Sequence, residues 1–592
     1  MPTEWVFRTR NEPLEEALVR RLGIGSLTAQ VLVNRGISSP EEGKAFLNPD
    51  LSALYDPKLL PDMDLAVRTI IRHLKAGSNI LLYGDYDVDG MCSLAILKQF
   101  LHLAGVEVRT HIPSRADEGY GVHSDSIRRF HEEGVNLIVT VDCGVASVNE
   151  VAEANALGME VVVTDHHEPG ATRPSAAAVI DPKLANSHYP FKELAGVGVA
   201  FKLAWALAQE LSGGQRTKPV FRDFLLDAMA LVALGTVADV VPLLDENRVL
   251  AHFGLQALRY SQLPGIRALL ERVNRIDCPL HTDDISFRLG PRLNVAGRMG
   301  DADLALRLLT TDRLDEAERI AEELDRLNLE RQKIQRDIIQ LARDRIGREM
   351  PPGQKIIVLA DETWPAGIIG IVASHLVEEF YRPTVLISLD PAESGPEGMG
   401  RGSARSVPGL NIVELLSRCS VPLLSFGGHA QAAGMRIERR HIEGFARELA
   451  RLADEILTDE DLVPKLDVDA EVSLTSLDVA SVTELQRLAP FGQGATPPVL
   501  AARDVRIGAP KRVGSSGRHL AFYANQPSSD AGLRAIAYGM GDLLDRLSGS
   551  GPGSPGRRCD LAFVPKVSNW QGRESIELEI KDISFETDSE ED

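Results

Sequence analysis

The stretch LLYGDYDVDG, residues 81–90, determines the expected fold. It begins as an apolar run typical of a buried strand, then passes through three acidic residues at alternate positions into the helical pattern MCSLAILKQFLHL. Two more apolar runs follow, VNLIVTVDCG at 135–144 and MEVVVTDHH at 159–167, each preceded by a helical pattern. Continuous apolar strands that alternate with single helices predict a parallel sheet with helices on both faces.

The rest of the chain predicts three further parts of an α/β protein. A region rich in helix formers predicts a long connecting helix, and the segments KIIVLAD, GIIGIVASHLVEEF and PTVLISL predict a second, smaller α/β domain. Alternating polar and apolar residues in ESIELEIKDI predict a C-terminal β-barrel of the OB type. The expected parts are an N-terminal segment at 1–55, a catalytic domain at 56–305, the connecting helix at 306–350, the second α/β domain at 351–460, and the OB-like domain with an acidic tail at 461–592.

Composition narrows the class of protein. The chain has 592 residues, and its 44% hydrophobic and 25% charged residues are ordinary globular values. A formal charge of −21 excludes a generally basic nucleic-acid coat but allows a local basic groove. Five scattered cysteines without a CxxC pair argue against a disulfide framework and a thiolate zinc site. Without an apparent signal peptide or membrane span, we expect a cytoplasmic location.

Acidic residues and histidines follow the predicted strands at the point where each strand ends. Because the carboxyl ends of parallel strands meet at one edge of the sheet, we expect these side chains to share a crevice. Crowded carboxylates repel unless a divalent cation neutralises them, and mixed carboxylate and imidazole ligands favour Mn²⁺, with Mg²⁺ as the alternative. A polar turn with a helix-capping Asp, and histidines buried in a core, remain the alternative interpretation. The candidates at the strand ends are Asp85, Asp87, Asp89, Asp142, Asp165, His166 and His167, and a further candidate, Asp239, follows a strongly apolar helix that could bring it to the same crevice.

The motifs GDYDVDG, VDCG, TDHH and GTVADVVPL together resemble, in order and spacing, those of the DHH phosphoesterase superfamily. Within that superfamily the chain is similar to the RecJ single-strand-specific 5′→3′ DNA exonucleases. This narrower resemblance depends on four further motifs: IPSRADEGYG, LGPRLNVAGRMGD, GRGSARS and FGGHAQAAGM.

The resemblance implies roles for individual side chains. His167 would contact the scissile phosphate, and Asp85 and Asp165 would complete the catalytic set around the metal. Two Mn²⁺ ions would be bound, with Asp142 between them. Tyr83 stands where several superfamily members have a histidine, so the resemblance leaves it out of the ligand set. The implied metal ligands are Asp87, Asp89, Asp142, His166 and Asp239.

A second set of residues would hold the nucleic acid. The glycine-rich GRGSARS is expected to form a loop that approaches the substrate, and by resemblance Arg115, Ser403 and Arg405 form a pocket for a 5′-phosphate. A flexible surface loop, or a salt bridge from Arg298 to a nearby Asp, is the alternative. In the barrel, aromatic side chains could stack on bases or fill the core. The candidate substrate-binding residues are Arg115, Arg292, Asn294, Arg298, Arg401, Ser403, Arg405 and His429, and the barrel aromatics are Phe522, Tyr523 and Trp570.

The resemblance implies a metal-dependent exonuclease that degrades single-stranded DNA 5′→3′ to 5′-mononucleotides in DNA recombination and repair. A single-strand-binding protein and a recombination helicase are the expected partners of a monomeric enzyme. Two alternatives remain open. One is a phosphoesterase for short oligoribonucleotides, cyclic dinucleotides or pyrophosphate, and the other is a replication scaffold that has lost its metal site.

Overall fold

The computed structural model describes residues 3–114, 121–214, 216–390, 395, 397–514, 517–526, 532–548, 557–570 and 572–585. By contacts the chain divides into two compact units, Leu51–Leu462 and a second unit that combines Met1–Asp50 with Val463–Asp592. The expected acidic tail lies outside the described residues. In the described part of the chain, no helix is long and apolar enough to cross a membrane.

The chain begins with a short strand and three helices. The strand lies at an edge, and each of the first two helices is about three turns long or shorter. These elements are β1 (Glu4–Phe7), α1 (Glu12–Leu22), α2 (Ser26–Asn34) and α3 (Pro40–Leu47).

A five-stranded parallel sheet then forms the centre of the larger unit, in the order β3-β2-β4-β5-β6. The predicted alternation of strands and helices is confirmed, and β6 is a fifth strand that the sequence patterns did not indicate. Its elements are α4 (Met63–Ala76), β2 (Ile80–Tyr83), α5 (Val88–Leu103), β3 (Arg109–His111), α6 (Ser124–Glu132), β4 (Leu137–Val141), α7 (Val148–Ala156), β5 (Glu160–Thr164) and β6 (Ala178–Ile180).

Helices cover both faces of this sheet, as its apolar strands require. On one face the strands pack against α5 and two long apolar helices, and on the other they pack against α6 and α7. The following helices are α8 (Gly196–Leu211), α9 (Pro219–Ala238), α10 (Asp245–Tyr260), α11 (Pro264–Arg272), α12 (Thr282–Asp284), α13 (Gly290–Met299) and α14 (Asp303–Thr310), with a π-helical turn at Ile285–Leu289.

The predicted connecting helix is present as α15 (Leu314–Glu349), which is 36 residues long. It leads to a second, mixed sheet with the order β10-β11-β9-β8-β7, in which only β7 and β8 pair in parallel. The glycine-rich GRGSARS was expected to be a loop, and this expectation is wrong because it forms an internal strand, β9. This domain contains β7 (Ile357–Asp361), α16 (Ala366–Phe380), β8 (Thr384–Leu389), β9 (Met399–Arg405), α17 (Ile412–Arg418), β10 (Ser425–His429), β11 (Ala432–Glu438) and α18 (Ile442–Ile456).

The C-terminal part is a closed five-stranded barrel, as predicted, because β14 pairs with both β15 and β17. The first fifty residues belong to the same unit: β1 pairs in parallel with β12, and the Trp5 indole donates to Asp582 Oδ2 at 2.7 Å. The elements are β12 (Lys465–Val468), β13 (Ala470–Glu471), α19 (Val479–Gln486), β14 (Leu500–Val513), β15 (His519–Asn525), β16 (Leu533–Ala537), α20 (Leu544–Leu547), β17 (Arg558–Trp570) and β18 (Arg573–Ser584). Short 3₁₀ turns lie at Leu51–Ala53, Pro57–Leu59, Arg439–His441, Glu460–Leu462, Leu474–Ser476 and Gly541–Leu543.

A buried ion pair ties α8 to α10 beneath the sheet. Lys202 Nζ lies 2.5 Å from Glu246 Oε1 and 2.5 Å from the carbonyl of Tyr55, and both charged side chains are fully buried. Glu246 also accepts hydrogen bonds from the Tyr55 amide and the Tyr189 hydroxyl. Loss of one partner would leave the other charge buried and uncompensated.

We therefore expect Lys202→Met to lower the free energy of unfolding by about 3–5 kcal/mol, measured by chemical denaturation. The control is Arg447→Ala, which removes an exposed pair with Glu443 and should cost less than about 1 kcal/mol. If Lys202→Met unfolds at the same denaturant concentration as the control, the pair does not stabilise the unit.

Candidate functional site

The turn between β2 and α5 places three carboxylates at the edge of the parallel sheet. Asp87 caps α5, because its Oδ1 accepts the amides of Asp89 and Gly90 at 2.9 and 3.1 Å. The alternative interpretation of a helix-capping Asp is therefore correct for Asp87. It does not account for the burial of the other two carboxylates. Asp85 and Asp89 are almost fully buried, which a capping turn alone would not require.

Asp89 is held by the first turn of α8. Its two oxygens accept the amides of Gly196 and Val197 at 2.7 and 2.8 Å. Amides at a helix N-terminus stabilise a negative charge. They compensate part of the burial cost of this carboxylate and fix the direction of its oxygens.

Three carboxylates, Asp89 and two others, converge on His166. Its Nε2 lies 3.1 Å from Asp142 Oδ1, 3.6 Å from Asp239 Oδ2 and 3.8 Å from Asp89 Oδ2. Asp142 follows β4 and has a left-handed backbone, with φ of 59°, which is uncommon for a residue other than glycine. Strand ends and the end of α9 thus meet at one point, as the sequence patterns predict.

Asp165 has a different role from these carboxylates. It accepts the amides of Val145, His166 and His167, and its Oδ1 lies 2.8 Å from His167 Nδ1. Its oxygens are therefore occupied in orienting the histidine loop. About a third of the His167 side chain is exposed.

The cluster contains three sets of potential ligand residues. Inside each set, the ligand atoms lie within 4.8 Å of one another. Two of the sets share His166 and two share Asp142, so the potential ligands form one continuous group rather than separate sites. The sets are Asp142 with His166 and His167, Asp89 with His166 and Asp239, and Asp85 with Asp87 and Asp142.

Electrostatics fit a cation at this place. Burial, and then repulsion from Asp87, raises the pKa of Asp89 to about 7. Burial and the neighbouring carboxylates also raise the pKa of Asp142 and of Asp239 well above the ordinary value. Burial lowers the pKa of His166 to about 3, so its imidazole is neutral and able to ligate. The donors and their charge therefore suit a divalent cation.

Two glycines that the sequence patterns did not indicate make the cluster possible. A Cβ on Gly196 would lie 2.6 Å from Asp142 Oδ1, and one on Gly235 would lie 2.7 Å from Asp89 Oδ1. Asp181 was also missed, although it follows β6 just as the other carboxylates follow their strands. Burial raises its pKa to about 7. The run AAAVID at 176–181 is the signal that could have identified it.

Tyr83, the residue that replaces a superfamily histidine, faces away from the cluster. Its ring is fully buried against His111 and Phe130, and its hydroxyl donates to the carbonyl of Gly121. It is a core residue of the face covered by α6 and α7.

The second α/β domain brings its own polar side chains to the crevice. The rings of His429 and His167 stack with centroids 6.5 Å apart. Arg405 donates to Ser403 Oγ at 3.0 Å and to Ser374 Oγ at 3.2 Å, while Arg401 is exposed on the same strand. The predicted partner Arg115 lies outside the described residues.

The three predicted substrate-binding residues of α13 contact other parts of the protein. Arg292 binds Asp325 through Nε and Nη2, each at 2.8 Å, and the Asn294 side-chain oxygen accepts the Val88 amide at 3.1 Å. Arg298 donates to the carbonyl of Gly367 at 3.2 Å. The contacts tie α13 to α15, to the turn between β2 and α5, and to the second domain. Asn294 and Arg298 also line a pocket of about 220 Å³.

In the barrel, the two described aromatic candidates differ. Phe522 belongs to the core, whereas about half of Tyr523 is exposed. The side chain of the third candidate, Trp570, lies outside the described part of the structure.

Family models match three parts of the chain. They are the DHH family N-terminal domain at residues 79–236, the DHHA1 domain at 353–458 and the RecJ OB domain at 468–582. The first covers the parallel sheet with its carboxylates, the second covers the mixed sheet, and the third covers the barrel.

Known proteins match almost the whole chain. The single-stranded-DNA-specific exonuclease RecJ of Bacillus subtilis is 36% identical over 98% of this chain and 70% of its own length. The crystal structure of RecJ from Thermus thermophilus in complex with Mn²⁺ has a TM-score of 0.81 and 30% identity, over 98% of this chain and 79% of that one. Its Mg²⁺ complex has a TM-score of 0.76 and 27% identity, over 98% and 78%. Because its fold, its three matched domains and its sequence identity over almost the whole chain agree with those of RecJ, the chain belongs to the RecJ family.

Proposed function

We propose that this protein is a divalent-metal-dependent exonuclease that degrades single-stranded DNA from the 5′ end and releases 5′-mononucleotides in recombination and repair. The observation that carries the proposal is the convergence of buried carboxylates on His166 at the carboxyl edge of a parallel sheet. The names of the RecJ relatives support the substrate and the reaction.

We assign two divalent ions, Mn²⁺ or Mg²⁺, to the overlapping ligand sets. Crystal structures of RecJ in complex with each ion support this choice of metal. When bound, such ions lower the pKa of a water molecule and stabilise negative charge on phosphate oxygens. The proposed ligands are Asp87, Asp89, Asp142, His166 and Asp239, with Asp85 beside them.

His167 is the proposed contact to the scissile phosphate. Burial lowers the pKa of His167, but the bond to Asp165 and the surrounding carboxylates outweigh this effect and raise the pKa above its ordinary value. The imidazolium can therefore donate from Nε2 to a non-bridging phosphate oxygen. Because Asp165 fixes the ring, this donor is in place before charge develops in the transition state.

Ser403 and Arg405 are the proposed receptor for the 5′-phosphate, with Arg115 as a further cation. A terminal phosphate carries a charge that an internal phosphodiester lacks, so a pocket that binds this charge favours strand ends. His429 stands between this pocket and the metal cluster, since it stacks on His167. We also assign Arg292, Asn294, Arg298 and Arg401 to the DNA path, where Asn294 and Arg298 line the pocket beside the cluster.

The barrel is the proposed second binding surface for single-stranded DNA. The exposed Tyr523 lies opposite Arg534 on the next strand, which combines a stacking surface with a cation for single strands.

The cellular context stays a prediction. We expect a single-strand-binding protein and a recombination helicase as partners, a monomeric state and a cytoplasmic location. Retention of all five ligands argues against a scaffold without metal.

The function is tested by digestion of single-stranded DNA carrying a different label at each end, with Mn²⁺ or with a chelator. We expect immediate release of the 5′ label as a mononucleotide, only with metal, and a loss of at least about 1,000-fold in Asp142→Asn because a buried ligand is removed. Mn²⁺ should raise the melting temperature of the wild type but not of this variant.

The matched control is Asp125→Asn, which changes an exposed carboxylate of the same domain. It should digest DNA at the wild-type rate. Release of the 3′ label first, or equal activity of Asp142→Asn and Asp125→Asn, would refute the proposal.

The proposed 5′-phosphate pocket predicts a preference for 5′-phosphorylated strands that depends on Arg405. Wild-type protein should cleave a 5′-phosphorylated strand with a higher kcat/KM than a 5′-hydroxyl strand, and Arg405→Ala should remove about tenfold or more of this preference. Arg447→Ala, an exposed arginine on α18, is the control. If Arg405→Ala lowers kcat/KM equally for both strands, Arg405 does not read the terminal phosphate.

A further inference from the structure

Arg331 is a buried cation on the connecting helix α15. Only 8% of the residue is exposed, and it lies in the middle of the helix, far from the C-terminal turn whose dipole would stabilise a positive charge. Its guanidinium donates from Nη1 to Gln335 Oε1 at 3.0 Å and from Nη2 to Asn328 Oδ1 at 2.9 Å. Both acceptors are neutral, so they fix the direction of the guanidinium without compensating its charge.

The charge of Arg331 has no acidic partner among the described residues. Burial lowers the pKa of Arg331, and no carboxylate opposes this effect, whereas Asp469 opposes it for the buried Arg35. In addition, Arg331 Nε and Asn328 Nδ2 are buried donors without an acceptor. Arginine is rarely buried unless it is paired, and buried donors almost always have an acceptor. Two such donors beside an uncompensated cation indicate an acceptor that carries negative charge.

A pocket gives such an acceptor access to Arg331. Arg331 lines the pocket of about 220 Å³ that also contains Asn294 and Arg298. Among the described residues, no acidic side chain lines this pocket. The side chains of the lining therefore favour an anion, and the apolar remainder of the wall strengthens its attraction to the arginines.

The pocket adjoins both the metal cluster and the proposed receptor for the 5′-phosphate. Its lining includes Val240, which directly follows the proposed ligand Asp239, and Ile371 on α16. The preceding Gly370 packs against that receptor, because a Cβ there would lie 2.9 Å from Arg405 Nη2. In a bound strand, the part that reaches both places is the first nucleotide with the phosphodiester that follows it.

We infer that Arg331 binds a non-bridging oxygen of the first phosphodiester of the strand from the side of the connecting helix. The inference rests on the proposed exonuclease function and deepens it, because it names the substrate group that compensates a buried cation. A phosphate oxygen would accept from Nε and neutralise the guanidinium, and charge-assisted bonds of this kind are stronger than those between neutral groups. Arg331 would thereby hold the linkage to be cleaved beside the metal cluster.

The test measures the affinity of the full-length protein for a short 5′-phosphorylated single strand by fluorescence anisotropy. A chelator keeps the strand intact. Arg331→Gln should weaken binding about tenfold, because it removes a charge-assisted contact. The slope of log Kd against log salt concentration should fall by about 0.7, the value of one phosphate contact on a single strand. The matched control is Arg336→Gln, an exposed position of the same helix, which should change neither quantity.

Strands with one neutral methylphosphonate linkage locate the contact. At the first linkage, the loss of affinity should be about tenfold larger in the wild type than in Arg331→Gln, whereas at the third linkage both proteins should lose the same factor. A strand whose first nucleotide lacks its base should also affect both proteins equally. Arg331→Lys, which keeps the charge, should retain the salt slope of the wild type.

The melting temperature of each free variant checks its folding. Arg331→Met is a second variant that fills a similar volume without a charge, and replacing an uncompensated buried charge by an apolar side chain is well tolerated. It should weaken binding to the same extent as Arg331→Gln. The two variants together keep the test valid if one of them does not fold.

The outcomes separate the two proposals. If the wild type does not degrade the strand with Mn²⁺, the exonuclease function itself fails. If the wild type degrades it while Arg331→Gln binds as tightly as Arg336→Gln, the Arg331 inference is overturned. It is also overturned if the two proteins differ at the third linkage or at the missing base rather than at the first linkage.

Discussion

The structure depends on the burial of several negative charges at one edge of a parallel sheet. Asp89, Asp142 and Asp239 lie around a single imidazole, and burial raises the pKa of each carboxyl group. Such an arrangement is costly without a counter-charge. The cost explains why the surrounding elements are built to hold these groups, and why a divalent cation is the natural complement of the cluster.

Several features prepare the cluster before any substrate binds. The first turn of α8 directs two amides at Asp89, and Asp165 fixes His167 through its ring and its backbone. Gly196 and Gly235 leave room for carboxylate oxygens that any side chain would displace. A preorganised site of this kind does not need to reorient its dipoles during the reaction, which is the main source of electrostatic catalysis.

The sequence predicted the parallel sheet and its acidic strand ends because those signals are local: an apolar run followed by a polar residue. It failed at GRGSARS, since glycine disfavours strands and the composition suggested a loop. In the structure Gly400 and Gly402 are required by packing, because a Cβ there would lie 2.8 Å from Ile387 and 2.6 Å from Met435. These contacts, like the pairing of β1 with β12, join residues distant in sequence and leave no local pattern.

The most direct test of this account is the number of protons released when Mn²⁺ binds the metal-free protein, measured by calorimetry at pH 6.5 in buffers of different ionisation enthalpy. Because burial and neighbouring carboxylates raise the pKa of Asp89 to about 7 and hold the pKa of Asp142 well above its ordinary value, metal binding must displace protons. We predict release of at least about one proton per protein, and an affinity that rises as pH increases toward 8. Binding without proton release and with a constant affinity, or no binding at all, would contradict the account.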